Sequence, residues 1–208
     1  MKKNITLLAF LFVALTSKAQ LPVGSWYTGA CIKLYYYTEN DHNSKNSEFQ
    51  FYPATFYTLN EKWGVGGGIY YDMTTSKTEG GYDTKYTTST FGFEPAVRYY
   101  GKISDRVNCY AQGGINIAGG TSKSEYDGGD PTTYNNFYWG LEAHPGIMWN
   151  IKSKTYLDFS YGSLNYTHST SKQKDTDNKT SDDSFLLNLN TWTLGVALYY
   201  VFGSGEDY

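Results

Sequence analysis

The chain is poor in the residues that would assign it to several common classes. Two cysteines, Cys31 and Cys109, cannot staple a small disulfide scaffold. With 17 Lys and Arg against 20 Asp and Glu, a net charge of −3 excludes binding that works by neutralising nucleic-acid phosphates. After residue 20 no apolar run reaches the roughly 20 residues of a membrane helix. No window carries a sustained 3.6-residue period, so long amphipathic helices are not expected. Prolines number only five, which makes their positions informative.

What is abundant is tyrosine and glycine, 22 of each in 208 residues, with 11 Phe and 5 Trp. The first 19 residues stand apart from that composition. Lys2 and Lys3, the apolar run Ile5–Leu15 and the small-residue site Ser17-Lys18-Ala19 make a secretory signal, with cleavage expected before Gln20. Cys31 lies too far past the apolar run to be a lipidation site.

The remainder alternates. Apolar and polar residues interchange over stretches at 25–39, 47–59, 64–76, 87–101, 106–118, 135–151, 155–168 and 185–202, predicting eight strands. Short connections at 60–63, 102–105 and 152–154 interleave with long polar ones near 40–46, 77–86, 119–134 and 169–184. Tight turns on one side and long loops on the other are the pattern of a transmembrane barrel. Pro53, Pro95 and Pro145 form an internal repeat, each 12 residues before the apolar residue that opens the next strand, Val65, Val107 or Leu157. Proline cannot donate to a ladder, so a bulge or register irregularity is expected at each.

Face composition fixes the orientation. Phe137, Trp139, Leu141, Ala143, Pro145, Ile147, Trp149 and Ile151 share one face of their stretch, opposite Tyr138, Gly140, Glu142, His144, Gly146, Met148 and Asn150. Phe91, Phe93, Pro95, Val97 and Tyr99 likewise oppose Gly92, Glu94, Ala96, Arg98 and Tyr100. Faces of about ten residues without a charge suit lipid. The mixed faces suit the interior of an eight-stranded barrel, barely wide enough for side chains. Glycines at 64, 66 and 68 suggest some unfilled internal space. Trp26, Trp63, Tyr99, Trp149, Tyr200 and Phe202 sit near the short-turn end, as an interfacial aromatic girdle would.

These features resemble the small outer-membrane β-barrel family of gram-negative bacteria, the porin-like and OmpA-type barrel domains. The signal segment, the Phe-Glu-Pro-Ala-Val-Arg-Tyr-Tyr hairpin and the closing stretch from Thr193 to Phe202 carry the resemblance. It implies an all-β, eight-stranded antiparallel up-and-down transmembrane β-barrel over 20–202, monomeric, with both termini in the periplasm. Gly195, Leu198, Tyr200 and Phe202 would form an insertion signal read by the barrel-assembly machinery. The polar tail 203–208 departs from the family habit of ending at the terminal aromatic.

The inward ionisable residues are Lys33, Asp72, Glu94, Arg98, Glu142, His144 and Asp158. They could line a passage or form an ionic core that plugs a narrow barrel, and the second is the expectation here. Neither a catalytic nucleophile nor a cofactor or metal site stands out; the acidic stretches 127–130 and 175–178, and His42 and His168, read as solvated. Cys31 faces inward with Lys33, and Cys109 outward with Val107 and Ala111, so no disulfide is expected. The sequence therefore points to a structural or surface-interaction barrel inserted in outer-membrane lipid, with no nucleic-acid partner. A narrow pore or small-solute carrier comes next, and a lipid-modifying enzyme last.

Overall fold

In the computed structural model the described residues are 21–39, 44–78, 83–152, 154–174, 176, 178–188 and 195–203. The signal segment, residues 189–194 and the tail after Gly203 lie outside them. Ten antiparallel strands are present among the described residues: β1 (Trp26–Glu39), β2 (Ser44–Thr58), β3 (Trp63–Thr78), β4 (Thr84–Ser104), β5 (Val107–Tyr126), β6 (Thr132–Lys152), β7 (Thr155–Ser160), β8 (Ser163–Gln173), β9 (Lys179–Asn188) and β10 (Gly195–Phe202).

The eight expected stretches thus appear as ten separate strands. The stretch expected at 155–168 is broken after Ser160, where Gly162 takes φ 66°. The stretch expected at 185–202 contributes to both β9 and β10. Pairing runs β1-β2-β3-β4-β5-β6-β7-β10 and returns from β10 to β1, while the β8–β9 hairpin branches from β6. Across β10 and β1, Trp26 faces Phe202 and Ala30 faces Leu198.

The strands are strongly tilted relative to their hydrogen-bonded rows. The row that starts at Trp26, the first residue of β1, passes Tyr57, Val65, Val97 and Gly113. It reaches Ala143, nine residues short of the β6 end at Lys152. Such a stagger accompanies the curling of a sheet on itself.

The long polar connections are mostly strand rather than loop. β4 and β6 each run 21 residues, and β5 runs 20. Their outer parts, such as Thr84–Thr90 and Thr121–Tyr126, are polar on both faces. Ser and Thr there pair across strands, Thr88 with Ser122 at 3.1 Å and Ser44 with Thr78 at 3.3 Å. Polarity on both faces signals water on both sides and hides the alternation, although the β-branched threonines still favour an extended chain.

The prolines behave in two ways. Across from Pro53 the β2–β3 ladder skips from Phe51↔Tyr71 to Ala54↔Gly68, and across from Pro95 the β4–β5 ladder skips from Phe93↔Ile117 to Ala96↔Gly114. Register is kept at both, so the expected bulge is absent; the missing N–H simply faces a gap. At Pro145 a true extra residue appears. Ala143 pairs with Leu164 and Gly146 with Ser160, so Tyr161, Gly162 and Ser163 stand opposite His144 and Pro145. The Tyr161 N–H donates to the Pro145 carbonyl at 3.2 Å. All three prolines turn their nitrogen toward the strand that follows in sequence. Shifts of register occur instead beside the short turns, at Lys102/Ser104 and Asn150/Lys152.

Faces follow the expected alternation. Ile32, Phe51, Ile69, Phe93, Ile117, Leu141 and Leu198 lie on one side, with Leu198 53% exposed. The buried core on the other side comprises Tyr27, Phe56, Tyr100, Tyr110, Met148, Tyr156, Tyr199 and Val201. Trp26, Trp63, Trp149, Tyr200 and Phe202 are exposed at the short-turn end, with Trp26 against Tyr57 and Trp63 against Tyr99 at 4.9 Å between ring centres. Cys109 has the outward parity, yet it is buried where Gly101 opposes it, and its Sγ donates to the Gly101 carbonyl at 3.3 Å. Neither cysteine forms a disulfide.

Candidate functional site

The interior divides at Arg98. Tyrosine rings fill the space beside it by lying over glycines of the neighbouring strand. Tyr52 covers Gly68, Tyr70 covers Gly92, Tyr100 covers Gly64, Tyr110 covers Gly146 and Tyr199 covers Gly29; a Cβ on Gly29 would stand 2.7 Å from the Tyr199 ring. The glycines at 64 and 68 therefore make room for rings and leave no free volume. That corrects the expectation of space there.

Arg98 is buried at the centre of a network. Its Nε donates to Gln112 Oε1 at 2.7 Å, Nη1 is 3.0 Å from Asp158 Oδ2, and Nη2 donates to the Tyr199 hydroxyl at 3.4 Å. The guanidinium stacks 3.9 Å from the Phe56 ring centre and 4.3 Å from that of Tyr110. Tyr110 donates its hydroxyl to Asp158 Oδ1 at 2.6 Å. Thus the planar cation meets carboxylate, amide, hydroxyl and two π-faces at once, which compensates the cost of taking its charge out of water.

Glu94 does not bond Arg98 directly, although the two share a strand face. Gln112 stands between them, donating to Glu94 Oε1 at 2.9 Å while accepting from Arg98, and Tyr52 donates to Glu94 Oε2 at 3.2 Å. Glu142 and His144 form a separate pair at 3.2 Å. Asp72 is farther along, accepting from Gln50 at 3.5 Å and Thr74 at 3.3 Å. The backbone of Lys33 pairs with Gln50; its side chain lies outside the described residues.

Six of the seven expected interior residues therefore fall on the inner face, in three groups rather than one. Selecting only Asp, Glu, Lys, Arg and His left out Gln112, Tyr52, Tyr110, Tyr199 and Met148. Parity alone would have found them, because each shares the inward face of its strand.

Beyond Arg98, away from the short turns, the interior opens. A cavity of about 340 Å³ is bordered by Tyr52, Glu94, Arg98, Glu142, His144 and Asp158. A second of about 350 Å³ continues from it past Tyr70, Asn116 and Glu142 to Asp72 and Tyr138. Tyr70 donates to Asn116 Oδ1 at 2.7 Å on their common wall. On the short-turn side of Arg98, Tyr27, Phe56, Tyr100 and Met148 are buried. Chemically, this is a polar cup on a packed floor.

Comparisons with known proteins supply the family. No curated protein matches the chain closely enough to count as a relative. Among solved structures, a major outer membrane protein from Thermus thermophilus is similar over 86% of this chain and 99% of its own, with 12% identity and a TM-score of 0.49. The family model for the outer membrane protein beta-barrel domain matches residues 5–202. The chain belongs to that outer-membrane β-barrel family.

Proposed function

We propose that this chain is an eight-stranded, internally plugged barrel that serves as a structural or surface-interaction protein and does not conduct. Residues 1–19 direct export, the short turns face the periplasm, and the long strand extensions stand outside the cell. On this reading β7 with β8, and β9 with β10, are two barrel strands, each divided in the structure. The closed pairing ring and the stagger of its rows support that count. The protein acts as a monomer, without cofactor or enzymatic chemistry.

One observation carries the non-conducting part: the Arg98–Asp158 pair, enclosed by Phe56, Tyr110, Tyr199 and Met148, fills the bore. An ion would have to displace a buried cation held by Gln112, Asp158 and Tyr199. The test is single-channel recording of the refolded protein in a planar bilayer. Wild type is expected to give no discrete conductance, and folded wild-type protein that conducts would overturn the plug. A carrier for small solutes is the second reading, favoured by the polar cup above Arg98.

A further inference from the structure

We infer that the cup above Arg98 binds organic ammonium ions, held by Glu94 and Glu142. The two carboxylates come from β4 and β6 and approach each other over β5. Glu94 lies over Gly114, where a Cβ would stand 2.8 Å from its Oε1, and Gly114 is directly opposite Glu142. Both border the cavity of about 340 Å³, together with Tyr52, Tyr70 and His144.

The interior supplies this pair with little positive charge. Arg98 is matched by Asp158, and Gln112 separates it from Glu94. The Gln112 amide is fixed in orientation, because its Oε1 accepts from Arg98 and its Nε2 donates to Glu94 Oε1. Tyr52 donates to Glu94 Oε2, so both oxygens accept, as those of an ionised carboxylate do. Lys33 and Asp72 share one hydrogen-bonded row, on either side of Gln50, and have opposite formal charge. As a pair they leave the balance unchanged. His144, 3.2 Å from Glu142 Oε1, can offset one carboxylate at most. At least one negative charge therefore stays uncompensated inside the barrel, where a lone charge is costly, and a bound cation would offset it. Among the described residues, no three metal-ligating side chains come together, and the cavity is far larger than a bare ion. Tyr52 and Tyr70 lie over Gly68 and Gly92 and turn their other faces to the cavity. Such faces suit an alkylammonium group through cation–π contact, so this lining fits an organic cation better than a metal ion.

The inference rests on the reading of the cup as a place for small solutes. Its test uses the refolded full chain in micelles of an uncharged detergent, with folding checked by the heat-dependent shift in gel mobility. Choline and phenethylammonium are titrated by calorimetry against dimethylbutanol and phenylethyl alcohol, which have the same shapes without the charge. Each cation should bind about tenfold more tightly than its neutral counterpart, or better. The combined change Glu94→Gln and Glu142→Gln should abolish that preference. It removes two like charges that repel, so folding is not endangered. Glu61→Gln with Asp105→Asn, two carboxylates at the short turns, should leave the preference intact. A preference that survives the first change, or is lost equally in the second, overturns the site. Neutral probes that bind as well as the cations overturn the choice of a cation and spare the solute reading. Folded protein that binds no probe overturns the solute reading and this inference with it. A chain that shows no folded form in micelles overturns the barrel beneath both.

Discussion

The two halves of the strand system use one alternation for opposite ends. In the half nearer the short turns, the inner face is tyrosine on glycine around a buried ion pair, and the outer face is predominantly apolar. In the extended half, both faces are Ser, Thr and Lys, and stability comes from ladder pairing and exposed polar contacts. Burial makes the first half intolerant: each group has one set of partners and no water to replace them. Water makes the second tolerant, because a lost side-chain contact is exchanged for a solvent one.

The largest effect that should separate the halves is at Arg98. Arg98→Ala strands Asp158 in the core and should cost about 3–5 kcal/mol of folding free energy. A urea titration of refolding would read this, with Asp72→Ala in the open cup as the mild comparison. Equal costs would erase the distinction between floor and cup. Replacing both members of the pair, Arg98→Met with Asp158→Leu, should recover much of the loss.

Next comes the lipid face. Leu198→Arg should cost about 2–4 kcal/mol at mid-depth, whereas Ser124→Arg on the extension should fold with near wild-type yield. Similar yields from the two would sink the face assignment.

Smaller again is the packing of rings on glycines. Gly146→Ala drives a methyl group into Tyr110 and should cost about 1–3 kcal/mol. Gly119→Ala, whose Cβ would meet the Asn136 carbonyl at an ordinary 3.8 Å, should be close to neutral. If thermal unfolding finds the two alike, the rings are not seated as described. Tyr110→Leu should relieve the first.

The slightest effect belongs to Glu125. Its hydrogen bonds to Lys123 and Lys85 hold the carboxyl below the usual glutamate range. A depressed folded-state value means that the stabilisation is present above the ordinary glutamate range and is lost as pH falls through the folded-state value. Followed by acid titration, wild type should therefore be only slightly more stable than Glu125→Gln at neutral pH, and that small advantage should vanish as pH falls below the ordinary glutamate range. A large difference would mean that the extension is held by more than exposed charge.

Much of the lower half was legible because one face there is uniformly apolar. The segments 91–100 and 137–151 show period two, and Glu94, Arg98, Glu142 and His144 were placed inward from parity alone. Upper strand segments such as Thr84–Tyr86 and Thr121–Tyr126 were read as loops because they meet water on both sides, which removes the periodic signal. The partner of Arg98 was not legible either. Asp158 lies 60 positions away in sequence, on a strand brought near only by the way the sheet curls. The proline repeat was visible, but its consequence differed between copies, since an extra residue enters only where Gly162 allows the turn.

The seating of tyrosines on glycines also acts as an address. A slip of one residue would turn every ring to the wrong face, and for Tyr70, Tyr110 and Tyr199 a slip of two would set the ring above a side chain instead of a glycine. The seam between the ends of the chain has the same lock, Tyr199 on Gly29. β10 thus carries a key cut for a socket in β1, and the cylinder can recognise its own closure.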